Sequence, residues 1–286
     1  MKKVGIVTDT TACIPQEQVE QYDIEIVPVQ LIFENQTYRD GIDISPTEFY
    51  GLLRHTKKLP TTSSSSPDLY LDAYRQASQR AESVLCITEP SRFSAMFSAA
   101  SIARKNAVKS MPGLAIEVID CSTAAAGQGL VALAAARAAV TNLALAEVKE
   151  VAVHIMKRVN LFATLDTLHY LAKGGRVPQA AALLNSLLKI KPIFSLNHAG
   201  AHTVALPRTI SSAMERILKL MDKNVSKGQP LHVAVMHADA LDRAETLKSR
   251  IASQFECNEL FITEFTPVMG VHTGPGLLGV AFYGED

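Results

Sequence analysis

Ser83-Val84-Leu85-Cys86-Ile87-Thr88 decides the reading of the first half of the chain. Its core is apolar, with β-branched residues, and too short for a helix of about ten to twelve residues, so it reads as a buried strand. Ala115-Ile116-Glu117-Val118-Ile119-Asp120 repeats the pattern, and Val4 to Thr8 opens the chain with it. Helical segments follow each of these runs. Alternation of strand and helix argues for a mostly parallel sheet covered on both faces. Ile24 to Phe33 is a longer extended run interrupted by Pro28. Ser45-Pro46-Thr47-Glu48 predicts a helix start, with Ser45 as N-cap, Pro46 in the first turn and Glu48 closing a capping box. Ser66-Pro67-Asp68 predicts a second start, with Leu69, Tyr70, Ala73 and Tyr74 at helical spacing.

The second half has another texture. Asn160 to Leu165 and Lys191 to Asn197 are strand-like, His198-Ala199-Gly200 is a turn, and Ala201 to Leu206 returns as a hairpin partner. A helix over Thr209 to Asp222, a strand over Leu231 to Ala238 and a helix over Ala240 to Phe255 follow. Strands over Glu259 to Phe265 and Leu278 to Phe282 end the chain. This is an α+β layer with some antiparallel pairing. The 286 residues therefore divide into an N-terminal α/β domain over 1–155 and a C-terminal α+β domain over 156–286. The first is expected as a three-layer α/β/α sandwich.

Composition narrows the partners. Lys plus Arg is 28 and Asp plus Glu is 28, for a formal net charge of zero, so no field favours nucleic acid. The apolar stretch after Lys2-Lys3 stops at Asp9, short of the roughly 7–15 residues of a secretory core. The most apolar stretch, Gly129 to Val140, is broken by Arg137 and falls short of the roughly 18 residues of a membrane span. A cytoplasmic location is the expectation. Cys13, Cys86, Cys121 and Cys257 are scattered, without metal-site spacing or a disulfide framework.

Four segments stand out, each with two readings. Pro60-Thr61-Thr62-Ser63-Ser64-Ser65-Ser66-Pro67 offers hydroxyls that hold an acid group without bringing charge; it also reads as a flexible linker capped by Ser66. Ser91-Arg92-Phe93-Ser94-Ala95-Met96 follows a strand, where sheets of this kind bind ligands; it also reads as a helix start with Ser91 as N-cap. Asp166-Thr167-Leu168-His169-Tyr170-Leu171-Ala172-Lys173-Gly174-Gly175-Arg176 ends in a double-glycine C-cap and reads as plain helix termination; it also reads as a turn that presents Arg176 to a partner or a phosphate. His272-Thr273-Gly274-Pro275-Gly276 is a rigid turn allowing close backbone approach, or a turn with a chance histidine. None reproduces a catalytic motif.

Taken together and in order, these segments resemble the DegV family. The resemblance spans nearly the whole chain. It adds Ile6-Val7-Thr8-Asp9-Thr10, Tyr38-Arg39-Asp40-Gly41-Ile42-Asp43-Ile44-Ser45, Leu165-Asp166-Thr167-Leu168 and Lys191-Pro192-Ile193. It implies a lipid tunnel between the two domains and one bound long-chain fatty acid. It further implies a separate fatty acid kinase subunit, to which the acyl carboxyl is presented for phosphorylation. Thr62 and Ser94 match the carboxyl-holding positions, and Ser63 adjoins them. His272 and Thr273 match the head-group turn. Arg176 and Arg208 match basic positions near the opening, where the kinase docks. No catalytic residue, metal or cofactor is implied. The partners are the fatty acid, the kinase and, transiently, a membrane surface, with no nucleic acid. The chain departs from the family at Ser94-Ala95-Met96, where Ser-Gly-Thr is usual, and at Glu89-Pro90, where the family has Ser-Ser. Phe93, Met96, Leu187, Phe194 and the alanine-rich stretch around 130–139 line the tunnel or simply fill core. The competing reading is a hydrolase or phosphotransferase using Ser94 or His272 with Asp9 or Asp120.

Overall fold

The computed structural model describes residues 2–56, 58–177, 180, 190–197, 200–226 and 228–285. Leu187 and the His198-Ala199 part of the expected turn lie outside them. The chain forms two compact units. One comprises Met1–Ile44 with Pro60–Lys157, and the other Ser45–Leu59 with Arg158–Asp286.

The first unit is built on four parallel strands, β1 (Lys2–Asp9), β2 (Glu25–Val27), β6 (Ala81–Thr88) and β7 (Ala115–Asp120), in the order β2-β1-β6-β7. From Val4 to Asp9 every residue of β1 is buried. That requires cover on both faces, as parallel sheets demand. α3 (Pro67–Ser78) and α4 (Met96–Ser110) pack on each other and on the sheet, while α5 (Ala126–Val140) packs on β1 and β6 and against α1 (Gln16–Tyr22). α6 (Leu145–Arg158) closes the unit. Gly5 lets α3 approach closely: a Cβ there would lie 3.2 Å from the methyls of Ala77 and Ala81. α5 is buried almost throughout, which explains its lack of a polar stripe.

Pro28 splits the extended run over Ile24 to Phe33 between two sheets. β2 joins the parallel sheet, and β3 (Gln30–Phe33) centres an antiparallel sheet with β4 (Gln36–Arg39) and β5 (Thr61–Ser63). A proline supplies no N–H to a ladder, so the break falls there. The Ser/Thr run is therefore no linker at its start: Leu31 pairs with Thr62 and Gln30 with Ser63.

The second unit carries a six-stranded sheet, β8 (Asn160–Thr164), β9 (Ile193–Asn197), β10 (Gly200–Ala205), β11 (Leu231–His237), β12 (Cys257–Glu264) and β13 (Leu278–Gly284). The order is β10-β9-β8-β13-β11-β12, with β11 and β12 parallel and the other pairs antiparallel. α8 (Ile210–Lys223) and α9 (Leu241–Gln254) bury Met214, Ile217, Met221, Leu247 and Ile251 against Val233, Val235, Val280 and Phe282. α7 (His169–Gly174) and α10 (Pro267–Thr273) are short.

Residues 45–59, which the sequence reading placed in the first domain, belong to the second unit. They carry α2 (Pro46–Leu53). Tyr50 donates its hydroxyl proton to the carbonyl of Phe265 at 3.2 Å, and Arg54 pairs with Asp239. Gly270 of α10 faces the rings of Phe49 and Tyr50 so closely that a Cβ would lie 2.6 Å from Phe49 Cε1. The capping box of α2 is complete: Ser45 Oγ accepts the N–H of Glu48, and the Glu48 carboxylate accepts the N–H of Ser45. Removing it in Ser45→Ala is expected to lower the unfolding free energy by about 1 kcal/mol, read from the midpoint of urea denaturation at unchanged slope.

Candidate functional site

The structure draws the first two sequence segments together within the first unit. Thr62 and Ser63 sit partly buried on β5. Beyond them, Ser65 donates its hydroxyl to the carbonyl of Pro28 at 2.6 Å and its N–H to the sulfur of Met96 at 3.2 Å. Ser64 Oγ accepts the N–H of Ala95 at 3.1 Å. Ser94 Oγ accepts the N–H of Met96 at 3.3 Å, across the start of α4. Thus the hydroxyl-rich run and Ser94-Ala95-Met96 form one polar surface, stitched by two cross-links. Met96 is fully buried and fills the space beneath it.

Ser91 is not the N-cap of α4. The helix begins at Met96 after Ala95 without a side-chain cap. Ser91 instead turns to the end of β7, where Asp120 accepts its N–H at 2.8 Å and its hydroxyl at 2.5 Å. Arg92 donates to the carbonyl of Ser122 at 2.7 Å.

Asp9 ends β1 fully buried. Its carboxylate accepts the N–H of Thr11 at 3.1 Å, the N–H of Glu89 at 3.0 Å, the Gln128 amide at 3.3 Å and the Thr11 hydroxyl. Burial raises its pKa above the ordinary carboxylate range, and these hydrogen bonds oppose the rise without cancelling it. Among the described residues, no hydrogen bond joins Ser94 to Asp9, Asp120 or a histidine. Asp9 ties the ends of β1 and β6 to the start of the next loop. Asp9→Ala leaves the buried N–H of Thr11 and the partly buried N–H of Glu89 without their acceptor and is expected to cost about 2–4 kcal/mol of stability in a urea titration.

The third and fourth segments meet within the second unit. His272 and Thr273 are the last residues of α10, an element the sequence reading took for part of a turn. Thr273 donates its hydroxyl to the carbonyl of Met269 at 3.1 Å. Gly274 caps the helix with φ +67°, and a Cβ there would collide with the ring of Tyr170. Gly276, with φ +87°, leaves room for the carboxylate of Asp166. The two glycines of Gly174-Gly175 serve different needs. Gly174 lies under His272, so that a Cβ would come 3.0 Å from Nδ1, while Gly175 takes φ +69° to end α7. A side chain at Gly174 would have to displace the His272 ring, and one at Gly175 would strain the backbone.

Asp166 anchors this assembly. It accepts Lys191 Nζ at 2.9 Å and Arg243 Nη1 at 2.6 Å. Burial works against its ionisation, yet Lys191 and Arg243 hold its pKa below the usual carboxylate range. Sequence reasoning passed over Asp166 and Tyr170 as site residues, although both lie in a quoted segment. Their signal was the pair of glycines far along the chain that make room for them. Arg176 is exposed, donates to the carbonyl of Gly174 at 2.8 Å, and lies near enough to His272 to oppose its protonation. Arg208 is exposed after β10; its neighbour Pro207 accepts the N–H of Lys191 at 2.7 Å.

Burial first, and Arg176 second, push the His272 pKa down to about 4. The imidazole is therefore neutral at pH 7. The unfolded chain, near the ordinary value of 6.5, binds a proton that the folded chain refuses. His272 thus adds stability above pH ~6.5 that is lost as pH falls towards ~4, by up to about 3 kcal/mol. His272→Gln is expected to flatten that part of the stability profile, measured by urea titrations at a series of pH values.

Among the described residues there is no group of three or more His, Cys, Asp or Glu side chains able to hold a metal ion, and no helix long and apolar enough to cross a membrane. A two-unit α/β chain with a hydroxyl-lined surface beside its parallel sheet and a glycine-built histidine turn in its second sheet unit defines the class. The family model described as "Uncharacterised protein, DegV family" matches residues 3–285, and the chain belongs to the DegV family. It is 31% identical over 281 residues to protein DegV of Bacillus subtilis, covering 98% of each chain. A structure of a DegV family protein from Thermus thermophilus, described by its fatty acid binding, aligns over 100% of both chains with a TM-score of 0.91 and 27% identity. The crystal structure of DegV from Bacillus subtilis, described as a fatty acid binding protein, aligns over 100% of both chains with a TM-score of 0.87 and 29% identity.

Proposed function

We propose that this protein binds one long-chain fatty acid without covalent chemistry and presents its carboxyl to a separate fatty acid kinase, which makes the acyl phosphate. The observation that carries the reading is the joining of the Thr62 and Ser94 segments through Ser64, Ser65, Ala95 and Met96. It gathers neutral donors on one surface of the first unit. The two structures above, described as fatty acid binding, support the ligand class.

The energetics fit such a site. Burying about fourteen methylenes gains roughly 11 kcal/mol before the entropy of association is subtracted. The head group then needs only its hydrogen bonds satisfied, and the hydroxyls of Thr62, Ser63 and Ser94 do that without a fixed cation. The resemblance adds His272 and Thr273. Within their own unit they offer a neutral imidazole and a hydroxyl at one helix end. A carboxyl held by neutral groups is released to a second enzyme more readily than one in a charged pair. Arg176 and Arg208, both exposed, are the proposed contacts for the kinase. The setting of Asp9 speaks against the hydrolase reading: its oxygens are fully engaged by the backbone and side chains around them.

Organic extraction of the purified protein followed by mass spectrometry is expected to yield one fatty acid per chain. Thr62→Ala combined with Ser94→Ala is expected to weaken fatty acid binding by about 10- to 100-fold, at about 1 kcal/mol per lost hydrogen bond. Wild-type affinity in that double variant would refute the head-group assignment. Ester or phosphate turnover abolished by Ser94→Ala would replace the carrier by an enzyme.

A further inference from the structure

Among the described residues, β10 is the edge strand of the six-stranded sheet. Its pairing with β9 shifts register between Thr203 and Ala205, which bulges Val204 before Ala205 pairs with Ile193, and the chain then runs on beside α8. A groove of about 430 Å³ lies between them, lined by Val204, Ala205, Leu206 and Pro207 on one side and Ser212, Glu215, Arg216 and Lys219 on the other. Its wall exposes large apolar side chains, with Leu206 52% and Val204 36% accessible. Arg216 and Lys219 outnumber Glu215 along α8, and exposed Arg208 follows Pro207 in the chain. Among the described residues, none of these three cations is within ion-pair reach of a carboxylate.

We propose that this groove is a docking site for an extended, acidic segment of a protein partner. Three features select that occupant. An edge strand keeps alternate backbone N–H and C=O groups unpaired, and only another peptide backbone matches such a row. The exposed valine and leucine accept alternate apolar side chains of an extended chain. The unpaired cations of α8 attract carboxylates on the intervening positions, and they repel a basic segment. The N-terminus of α8 takes no part, since Thr209 and Ser212 already cap it. The groove's own cations, Arg216 and Lys219, take no part in the proposed fatty acid or kinase contacts, so the site is tested independently of that reading.

The test uses the whole protein and a fluorescein-labelled ten-residue peptide alternating valine and glutamate, followed by fluorescence anisotropy. Saturable binding is expected. It should weaken at least tenfold when Arg216→Glu is combined with Lys219→Glu, when Leu206→Ser removes the apolar wall, and when lysine replaces glutamate in the peptide. Arg216 and Lys219 lie away from the buried face of α8, so the charge variant is expected to keep its circular dichroism spectrum and melting temperature. Leu206→Ser serves as the second variant if it does not. Absence of saturable binding, or equal binding by the variants, overturns the proposal. So does sedimentation showing a dimer that Leu206→Ser dissociates, which gives the groove to a second copy. Binding to phosphatidylglycerol vesicles that Arg216→Glu with Lys219→Glu abolishes, with the peptide ignored, gives it to a membrane and likewise overturns it.

Discussion

A carboxylate placed at the end of a strand must find partners for both its oxygens, and each unit of this protein is organised around one that does. Asp9 finds neutral donors. Asp166 finds two cations. The chemistry of each neighbourhood follows from that difference. Around Asp9, burial raises the carboxyl's pKa, and backbone N–H groups, a hydroxyl and an amide oppose that rise. Around Asp166, Lys191 and Arg243 stabilise the ionised form, and three stretches distant in sequence are drawn to one point. Gly276 exists as glycine because Asp166 occupies the space beside it.

The polar surface at β5 and α4 shows how a substituted family position can acquire a structural duty. Met96 stands where the resemblance implies a threonine, and it brings no hydroxyl donor. Here its sulfur accepts the N–H of Ser65, and its side chain is sealed in the interior. The backbone of the neighbouring Ala95 is held by Ser64. Shape and register of the surface are thereby kept by bonds that need neither glycine nor threonine. The hydroxyls of Thr62 and Ser94 remain at the positions the resemblance assigns to the head group.

Local signals in the sequence were faithful where local physics decides. The Ser45 capping box forms in full because Ser45 and Glu48 need only one another. The buried strands at 83–88 and 115–120 follow from apolar runs too short for a helix. Other features were illegible for a common reason: their partners lie far away along the chain. Thr61–Ser63 has no apolar alternation and becomes a strand only because β3 offers an edge. Ser91 carries the residue type of an N-cap, but Asp120, twenty-nine residues on, outcompetes the helix for it. Of the site, the four segments were legible as residue types. Their pairing into two assemblies was not, since Asp166 with Gly276 and Ser65 with Met96 are contacts no spacing encodes.

The excursion of Ser45–Leu59 has a consequence for how such a protein can be inherited. The chain passes from the first unit to the second, returns, and passes again, so three covalent crossings join them. A gene cut near the apparent midpoint would give one fragment α2 and the other the α10 surface that Phe49 and Tyr50 cover. The first fragment would carry α2 as surplus, and the second would lack part of its own unit. Exchange of halves between relatives, the ordinary route by which two-domain proteins gain new combinations, is closed to this architecture. Variation must come instead from substitution inside an indivisible chain, as at Ser94-Ala95-Met96.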